Sequence, residues 1–361
     1  MAATSRRPEG KLRKGWTTGA CAAAAARAAF EALHTGRFAD PVTIRLPRGE
    51  RPSFALAARD IGPGRATAGV VKDAGDDPDV THGALVLVTV ESGPAASGVA
   101  FRAGEGVGTV TRAGLALAVG EPAINPGPRA MIAQAIADAA ESLGVAADAV
   151  VTIAVPGGAA LAAQTLNARL GILGGLSILG TTGVVVPYSC ASWIHTIHRG
   201  VDVARAAGRR HLAGATGSTS EQAVRALHAL DDVALIDMGD FVGALLKYLR
   251  RHPVERLTVA GGFGKLVKLA QGHLDLHSAR SRVDLLALAA LAESLGADAA
   301  AVGHAASAAE LLQASGAVRR ALAERVAGHA RAVALATLSG GTAVDVAIFD
   351  RAGALIAHAG P

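Results

Sequence analysis

The pattern of hydrophobic and polar residues predicts an alanine-rich helix near the start of the chain. The letters WTTGACAAAAARAAFEAL place two threonines and a glycine before a run of alanines. Threonine is a good N-cap and alanine has the highest helix propensity, so we predict a helix over residues 18–33. Residues 128–144 follow Pro-Gly, show apolar positions at helical spacing and end at a glycine, which predicts a second helix.

Short stretches rich in β-branched and aliphatic residues predict strands around these helices. Gly, Pro and Asp turns separate most of them, which favours hairpins and a mixed or antiparallel sheet. The predicted strands cover residues 41–47, 53–60, 66–73, 84–91 and 149–156. We therefore expect an α+β domain with a mixed sheet over residues 1–182.

After about residue 180 the pattern changes to strands that alternate with helices. The stretches RRHLAGATG, VALIDMG and RLTVAGG predict strands, and helices are expected from about 219, over 240–250 and from about 264. Such alternation is typical of a parallel sheet with crossover helices. Residues 284–334 look helical throughout, and TAVDVAIFDRAGALIAHAG predicts a closing pair of strands. We expect an α/β, Rossmann-like domain with a mainly parallel sheet over residues 183–361.

Composition narrows the function without identifying one. The chain has 361 residues, 51% of them hydrophobic and 3% aromatic, with a formal net charge of +5. No apolar run is long enough to span a membrane, and the N-terminal letters lack the apolar core of a signal peptide, so we expect a cytoplasmic protein without a membrane partner. Scattered basic residues with few aromatics argue against nucleic acid. A polyanionic small molecule and plain surface charge both explain the basic balance.

Glycine and small polar residues follow the predicted strands of the second domain, where ligands bind in open parallel sheets. These clusters are ATGSTSE over 215–221, DMGDF over 237–241 and AGGFGK over 260–265. None has the spacing of a dinucleotide fingerprint or of a phosphate-binding P-loop. The glycines of the last cluster either bring a helix close to a strand or let a cofactor approach the main chain.

Three further features are candidates for chemistry. The segment KDAGDDPDVTHG, residues 72–83, concentrates four aspartates, which suit either a solvated turn or a functional carboxylate better than an EF-hand. His195 and His198 lie three apart on a predicted helix without an evident third ligand, which favours packing or surface histidines. Cys21 lies inside the alanine helix and is interpreted as a core residue rather than a nucleophile.

Taken in order, several long blocks resemble one protein family. The blocks LRKGWTTGACAAAAARAA, VKDAGDDPDVTHGA, GVGTVTRAGLALAVGEPAINPGPR, NARLGILGGLSILGTTGVVVPYS and AGGFGKLVKLAQG are similar to the CbiD-type cobalt-precorrin-5B C1-methyltransferases of cobalamin biosynthesis. The resemblance runs from about residue 12 to beyond residue 290. It implies transfer of a methyl group from S-adenosylmethionine to C1 of cobalt-precorrin-5B, giving cobalt-precorrin-6A in the anaerobic route. It also implies that cobalt belongs to the substrate, so we expect no metal bound by the protein.

The implied reaction guides the choice of site residues. The tetrapyrrole carries many carboxylates, so basic side chains and helix N-termini are expected to hold it. We predict substrate contacts from Lys14, Thr17, Thr18, Arg129, Arg169, Thr181 and Thr182, with Arg13 as a further candidate. Asp73 and Asp76 are the predicted catalytic carboxylates, either for proton transfer or to steady the sulfonium charge. For the methyl donor we predict Thr216, Ser218, Asp237, Gly239, Asp240, Gly261 and Gly262.

Other functions stay open on the sequence alone. A small-molecule kinase would use the Gly, Ser and Thr loops for phosphate, although the chain lacks a recognisable P-loop. A non-catalytic corrinoid carrier would bind a tetrapyrrole but not the methyl donor. The substrate is either the cobalt-containing precorrin or its cobalt-free counterpart, and a homo-oligomer is an open alternative to a single chain.

Overall fold

The computed structural model describes residue 10 and residues 12–360, and it divides into two compact units. The first unit ends at Ser189 and the second begins at Cys190, a few residues after the boundary expected at residue 182. Each unit has its own sheet and its own hydrophobic core. None of the helices among the described residues combines the length and hydropathy needed to cross a membrane.

The first unit is built from short strands and two long helices. Its helices are α1 (Thr18–Thr35), α2 (Pro126–Leu143) and α3 (Gly158–Ala162). Its strands are β1 (Gly15–Trp16), β2 (Val42–Thr43), β3 (Ser53–Phe54), β4 (Ala58–Gly62), β5 (Arg65–Val71), β6 (Leu85–Ser92), β7 (Val99–Ala103), β8 (Thr109–Val110), β9 (Ala149–Ala154), β10 (Ile172–Leu173) and β11 (Val184–Val185).

The main sheet of the first unit is mixed, as the turn-rich sequence predicts. Its strand order is β4-β5-β6-β9-β7, with β7 parallel to β9 and all other neighbours antiparallel. The strands predicted over 41–47 and 53–60 are shorter than expected, because only β2 and β3 pair there and the chain then turns into β4. Strand β7 was not predicted, since its inward positions are only partly buried and its apolar pattern is weak.

Helix α1 lies at the centre of the first unit, where it packs on β5, β6 and α2. Thr17 caps it, because its Oγ1 accepts a hydrogen bond of 3.2 Å from the N–H of Ala20. Alanines occupy nine of its thirteen buried positions, and these alanines are fully shielded from solvent. Side chains this small let the helix approach both the sheet and α2 closely, so the alanine run serves packing as well as helix propensity.

The second unit alternates strands with helices. Its helices are α4 (Cys190–Ala206), α5 (Ser218–His228), α6 (Val242–Leu249), α7 (Phe263–Ala270), α8 (Leu285–Ser294), α9 (Ala299–Gly303), α10 (Ala308–Ala314) and α11 (Arg319–Leu338). Its strands are β12 (His211–Ala215), β13 (Leu235–Asp237), β14 (Arg256–Gly262), β15 (Ala343–Phe349) and β16 (Leu355–Ala359).

The sheet of the second unit has the order β13-β12-β14-β15-β16. Strands β13, β12, β14 and β15 run parallel, and β16 pairs antiparallel at the edge, so the predicted crossover arrangement is present. Helix α5 covers one face of the sheet, whereas α4, α6, α7 and α11 build the larger core on the other face.

The expectation of continuous helix over residues 284–334 is wrong. The segment is divided into α8, α9, α10 and α11. Asp284, Asp298 and Ser307 each accept a hydrogen bond from a main-chain N–H of the following turn, so each begins a new helix. Side-chain capping therefore interrupts a segment whose composition alone favours helix.

The tight packing of α1 can be tested by enlarging one alanine. Ala24 is fully buried in α1, so Ala24→Leu should lower the free energy of unfolding by about 1–3 kcal/mol through overpacking. The same change at Ala332, an exposed position of α11, should be close to neutral. Urea denaturation of both variants makes the comparison, and equal stabilities would contradict the packing role of the alanines.

Candidate functional site

Three segments that are distant in sequence meet at the start of α1. The main-chain N–H of Trp16 donates to Asp73 O (2.7 Å), and the N–H of Thr17 donates to Gly183 O (2.9 Å). Strand β1 also pairs with β11, which follows Gly183 directly. We call residues 13–18, 73–77 and 179–185 the three-segment cluster. It contains seven of the residues predicted for substrate binding and catalysis: Lys14, Thr17, Thr18, Asp73, Asp76, Thr181 and Thr182.

Two glycines make this convergence sterically feasible. A Cβ atom on Gly15 would lie 2.0 Å from the carbonyl carbon of Ala74, and one on Gly180 would lie 2.2 Å from Thr17 Oγ1. Gly180 also has a positive φ of 116°, a conformation that residues with a Cβ rarely adopt. Any side chain at these positions would therefore push the segments of the cluster apart.

The acidic segment is held by Arg13 at the edge of the cluster. The Arg13 guanidinium forms an ion pair with the Asp73 carboxylate, and its main-chain N–H donates to Asp76 Oδ2 (2.6 Å). The hydrogen bond from Arg13 lowers the pKa of Asp73 to about 2. A carboxylate that acidic is a poor base near neutral pH, so the proton-transfer role predicted for Asp73 is disfavoured. Ordering the loop fits its contacts better.

An ion pair between the buried Lys72 and Asp79 stabilises the same loop. Lys72 is 1% exposed, and its Nζ lies 2.5 Å from Asp79 Oδ2. The N–H and the hydroxyl of Thr81 donate to the other oxygen of Asp79. Burial raises the pKa of Asp79, but the Lys72 ammonium and these hydrogen bonds outweigh burial, and the net pKa is lowered. Asp79 therefore stays ionised and compensates the charge of Lys72.

The aspartates of this loop do not converge on a cation. Asp73 faces Arg13, Asp79 faces Lys72, and Asp77 Oδ1 accepts a hydrogen bond of 2.8 Å from the N–H of Tyr188. Asp76 accepts from the main-chain N–H of Arg13, so the four carboxylates are held by protein groups and do not face one common point. The loop is an ordered turn stabilised by its own ion pairs rather than a calcium or magnesium site.

The start of α1 is already hydrogen-bonded. Thr17 Oγ1 accepts from the Ala20 N–H, and the Gly19 N–H donates to Leu179 O (2.9 Å). Thr18 is buried, whereas Lys14 and Thr181 are exposed. Within the cluster, Lys14 and Thr181 are therefore better placed than Thr18 to contact a ligand, and Thr17 acts as a helix cap.

The two arginines predicted to hold substrate lie outside this cluster. Arg129 donates to Ile124 O (2.8 Å) and to Glu121 Oε2 (3.0 Å), and its guanidinium lies 5.4 Å from the ring centre of Phe101. These contacts brace the turn before α2. Arg169 lies half-buried in a turn where its carbonyl accepts from Arg112 Nη1 (2.9 Å). A substrate contact for either arginine stays a prediction.

The residues predicted for the methyl donor gather at one end of the sheet in the second unit. Thr216 and Ser218 follow β12, Asp237 ends β13, with Gly239 and Asp240 after it, and Gly261 and Gly262 end β14. A Cβ atom on Gly261 would lie 2.8 Å from Thr216 Oγ1, so glycine is required for the two strand ends to meet. Gly262 is the N-cap of α7, and no described atom lies within 4 Å of its Cβ position.

Lys265 and Asp240 form a polar pair at this end of the sheet. Lys265 Nζ donates to Thr216 O (2.9 Å) and lies 3.0 Å from Asp240 Oδ1. The second contact lacks hydrogen-bond geometry, so within the described chain Asp240 Oδ1 is buried without a hydrogen-bond donor. Such an acceptor is ready to bind a hydroxyl or an amine from a ligand.

Trp193 completes the same end of the sheet and was missed by the sequence interpretation. Its indole N–H donates to Asp237 O (3.1 Å), and its ring lies 6.4 Å from that of Phe241, centre to centre. A Cβ atom on Gly239 would lie 3.2 Å from the indole. The ring is 46% exposed, and tryptophan is rare in this chain. That rarity is the one sequence signal that would have singled it out.

His198 and Cys21 have structural roles. His198 stacks on Tyr248 at 4.0 Å between ring centres, whereas His195 is exposed, so the two histidines do not face a common ligand. Cys21 is fully buried in α1, and burial raises the pKa of its thiol to about 12. A thiol that remains protonated is not a nucleophile, as the sequence interpretation expected.

Comparison with known proteins gives a consistent result along the chain. The family models described as "CbiD" and "CbiD, C-terminal domain" match residues 5–187 and 275–360. A cobalt-precorrin-5B C(1)-methyltransferase of Halorhodospira halophila is 59% identical over 353 residues, 97% of this chain and 95% of that protein. One of Bradyrhizobium sp. is 60% identical over 351 residues, 96% of this chain and 93% of that protein.

A solved structure is also similar in sequence. It is a crystal structure described as a cobalamin biosynthesis protein (CbiD) from Archaeoglobus fulgidus. It is 27% identical and covers 75% of this chain and 84% of its own, with a TM-score of 0.41.

The buried ion pair can be tested by removing the ammonium. Lys72→Met leaves the Asp79 carboxylate largely buried without its counter-charge, so the free energy of unfolding should fall by about 3 kcal/mol at neutral pH. The pKa of Asp79 is lowered in the folded state, so its contribution exists above its unfolded pKa and is lost as pH falls through the lowered value. The deficit of the variant should therefore shrink below about pH 4.

Denaturation at several pH values measures this dependence. Lys14→Met, at an exposed lysine nearby, is the matched control and should stay within about 0.5 kcal/mol of the natural protein. A deficit in Lys72→Met that did not change with pH would show that the ion pair is not its cause.

Proposed function

The chain belongs to the CbiD family, and we propose that it transfers the methyl group of S-adenosylmethionine to C1 of cobalt-precorrin-5B, giving cobalt-precorrin-6A. The observation that carries the proposal is near full-length similarity to relatives named for this methyl transfer. The kinase and carrier alternatives have no support from these relatives. Cobalt enters as part of the substrate, and the reaction belongs to the anaerobic route to cobalamin.

The methyl donor is proposed to bind where β12, β13 and β14 end, in a Rossmann-like manner. The chain leaves β12 for β13 on one side of it and then returns to β14 on its other side, so the direction in which strands are added to the sheet reverses at β12. Ligands of open parallel sheets bind at such a reversal, beyond the carboxyl ends of the strands. The main-chain N–H groups that begin α5 and α7 point to the same end.

The side chains at this end suit the parts of S-adenosylmethionine. The buried Oδ1 of Asp240 is an acceptor for a ribose hydroxyl or for the amino group of the donor. The exposed face of Trp193 is a stacking surface for adenine. Gly262 leaves room for a ligand to approach the main chain. Thr216, Ser218, Asp237, Gly239 and Gly261 shape the surrounding turns.

The sulfonium of the donor supplies an activated methyl group, so the chain has to orient the two reactants and exclude water. A protein nucleophile is not needed, which agrees with the buried and protonated thiol of Cys21. Asp240 and the turn at Gly261 would hold the donor in one orientation. These are positioning roles, since the bond is made between the two bound molecules.

The three-segment cluster of the first unit is proposed to hold carboxylates of the tetrapyrrole. Lys14 and Thr181 are exposed there and offer an ammonium and a hydroxyl, and Thr182 is half-buried beside them. Asp73 and Asp76 keep Arg13 in place and maintain the shape of the loop. Thr17 and Thr18 position the start of α1. A cytoplasmic location is part of the proposal.

Activity is tested directly by incubating the purified protein with cobalt-precorrin-5B and methyl-labelled S-adenosylmethionine without oxygen. We expect the label in the macrocycle and a product heavier by one methyl group. Parallel reactions with the cobalt-free precorrin decide which form is used. Donor binding without any label in the macrocycle would overturn the proposed reaction.

The donor site is tested by Asp240→Asn, which removes the charge but keeps the size of the side chain. Loss of a charged hydrogen bond should weaken S-adenosylmethionine binding by about tenfold or more, measured by calorimetry. Asp232→Asn changes an exposed acid of the same unit and should leave binding unchanged. Equal affinities for both variants would place the donor elsewhere in the chain.

A further inference from the structure

A second group of ionisable side chains lies at the other end of the sheet in the second unit. His211 and Arg256 are the first residues of β12 and β14, and Asp345 lies near the start of β15. The donor site proposed above is at the carboxyl ends of these strands. The group therefore lies apart from the proposed methyl transfer and was not anticipated from the sequence.

The face covered by α5 brings this group together. Ala213, Thr258 and Asp345 pair across β12, β14 and β15, and His211 is two residues before Ala213, so it shares that face. His228 is the last residue of α5 and packs on His211, with ring centres 4.9 Å apart. The last turn of α5 thus places the imidazole of His228 near the fully buried carboxylate of Asp345.

The distances suit a common ligand. One potential ligand atom from each of His211, His228 and Asp345 lies within 4.8 Å of the others. His228 Nε2 is 3.8 Å from Asp345 Oδ2, and His358 Nε2 of the edge strand β16 is 3.9 Å from the same oxygen. Atoms bound to one tetrahedral zinc at 2.0–2.1 Å are about 3.3 Å apart, so binding requires these side chains to move closer together by roughly 0.5–1.5 Å.

One nitrogen of the group lacks a partner. His228 Nε2 is buried and makes no hydrogen bond to any residue that the structure describes. Burying a polar atom without a hydrogen bond costs free energy, so such an atom calls for a ligand. Neutral imidazoles and an ionised carboxylate are the forms that bind metals.

We propose that His211, His228 and Asp345 form a binding site for a divalent transition metal of the zinc type, with His358 within reach as a fourth ligand. Two imidazoles and a carboxylate are a donor set that zinc accepts, and alkaline-earth cations prefer oxygen ligands alone. The bound metal would join the end of α5 to β12 and β15. Its role is structural, and it adds a metal where the sequence led us to expect none.

Arg256 competes for the same carboxylate. Its guanidinium donates to Asp345 Oδ2 at 2.7 Å and 3.0 Å, and the Thr258 hydroxyl donates to that oxygen at 2.9 Å. These bonds hold Asp345 when no metal is bound. Arg256 is 40% exposed, so its side chain can turn towards solvent when a cation takes its place. The proposal therefore includes two states of Asp345, one paired with Arg256 and one bound to metal.

Metal binding is tested on the full chain after chelator treatment, by titration with zinc chloride in a calorimeter and by zinc analysis after dialysis. We expect a single tight zinc ion per chain. His228→Gln should reduce the affinity by about tenfold or more, whereas His195→Gln, an exposed histidine of the same unit, should not change it. Absence of stoichiometric zinc, or equal affinity in His228→Gln, would overturn the site.

Arg256→Gln distinguishes a metal site from an ion pair that has only a structural role. Without metal this variant should melt at a lower temperature, because Asp345 loses its counter-charge. It should bind zinc more tightly than the natural protein, and added zinc should raise its melting temperature by the larger amount. Weaker or unchanged zinc affinity in Arg256→Gln would contradict competition between the guanidinium and the metal. Neither test depends on methyl transfer, so the two proposals fail independently.

Discussion

Close approach of main-chain segments, at positions where a longer side chain would not fit, is the constraint on which both units depend. In the first unit the alanines of α1 let the helix lie against the sheet and α2, and Gly15 and Gly180 let three segments meet at its start. In the second unit Gly261 lets two strand ends meet at Thr216. Small residues therefore determine where the polar side chains can come together.

Charge compensation acts on the geometry that this packing creates. Once β5 and the acidic loop are drawn towards α1, Lys72 is buried and needs an ionised Asp79 beside it. Arg13 compensates the charge of Asp73 in the same way, but this ion pair is exposed to solvent. It therefore orders the loop and contributes little to stability. The contrast explains why the buried pair should matter for stability and the exposed pair for the shape of the loop.

The two ends of the sheet in the second unit carry different kinds of side chains, and each end suits a different kind of ligand. The carboxyl ends of the strands present glycines, main-chain N–H groups and the Asp240 carboxylate beside Lys265, which suits a small polar ligand. The opposite end presents histidines around a buried carboxylate, which suits a cation. Both follow from strand direction, because parallel strands place all their equivalent ends on one edge of the sheet.

Much of this could be predicted from the sequence, for identifiable reasons. Helices α1 and α2, the turn-separated strands and the strand–helix alternation depend on capping, propensity and spacing within a few residues, which the sequence shows directly. The ordered blocks also identified the family, and the small residues after β12, β13 and β14 indicated one edge of a sheet. Where sequence reasoning was wrong, as over 284–334, the side-chain caps of Asp298 and Ser307 begin new helices inside a segment of helical composition.

Only the tertiary structure decided which side chains meet. Arg13 pairs with Asp73, Arg129 braces its own turn, and Trp193 lies over Gly239, although nothing local in the sequence selects these partners. The grouping of His211, His228 and Asp345 depends on strand order and on where α5 ends, across more than a hundred residues of chain. Local order is governed by short-range preferences that each segment carries by itself, whereas a site requires long-range packing to bring distant segments together.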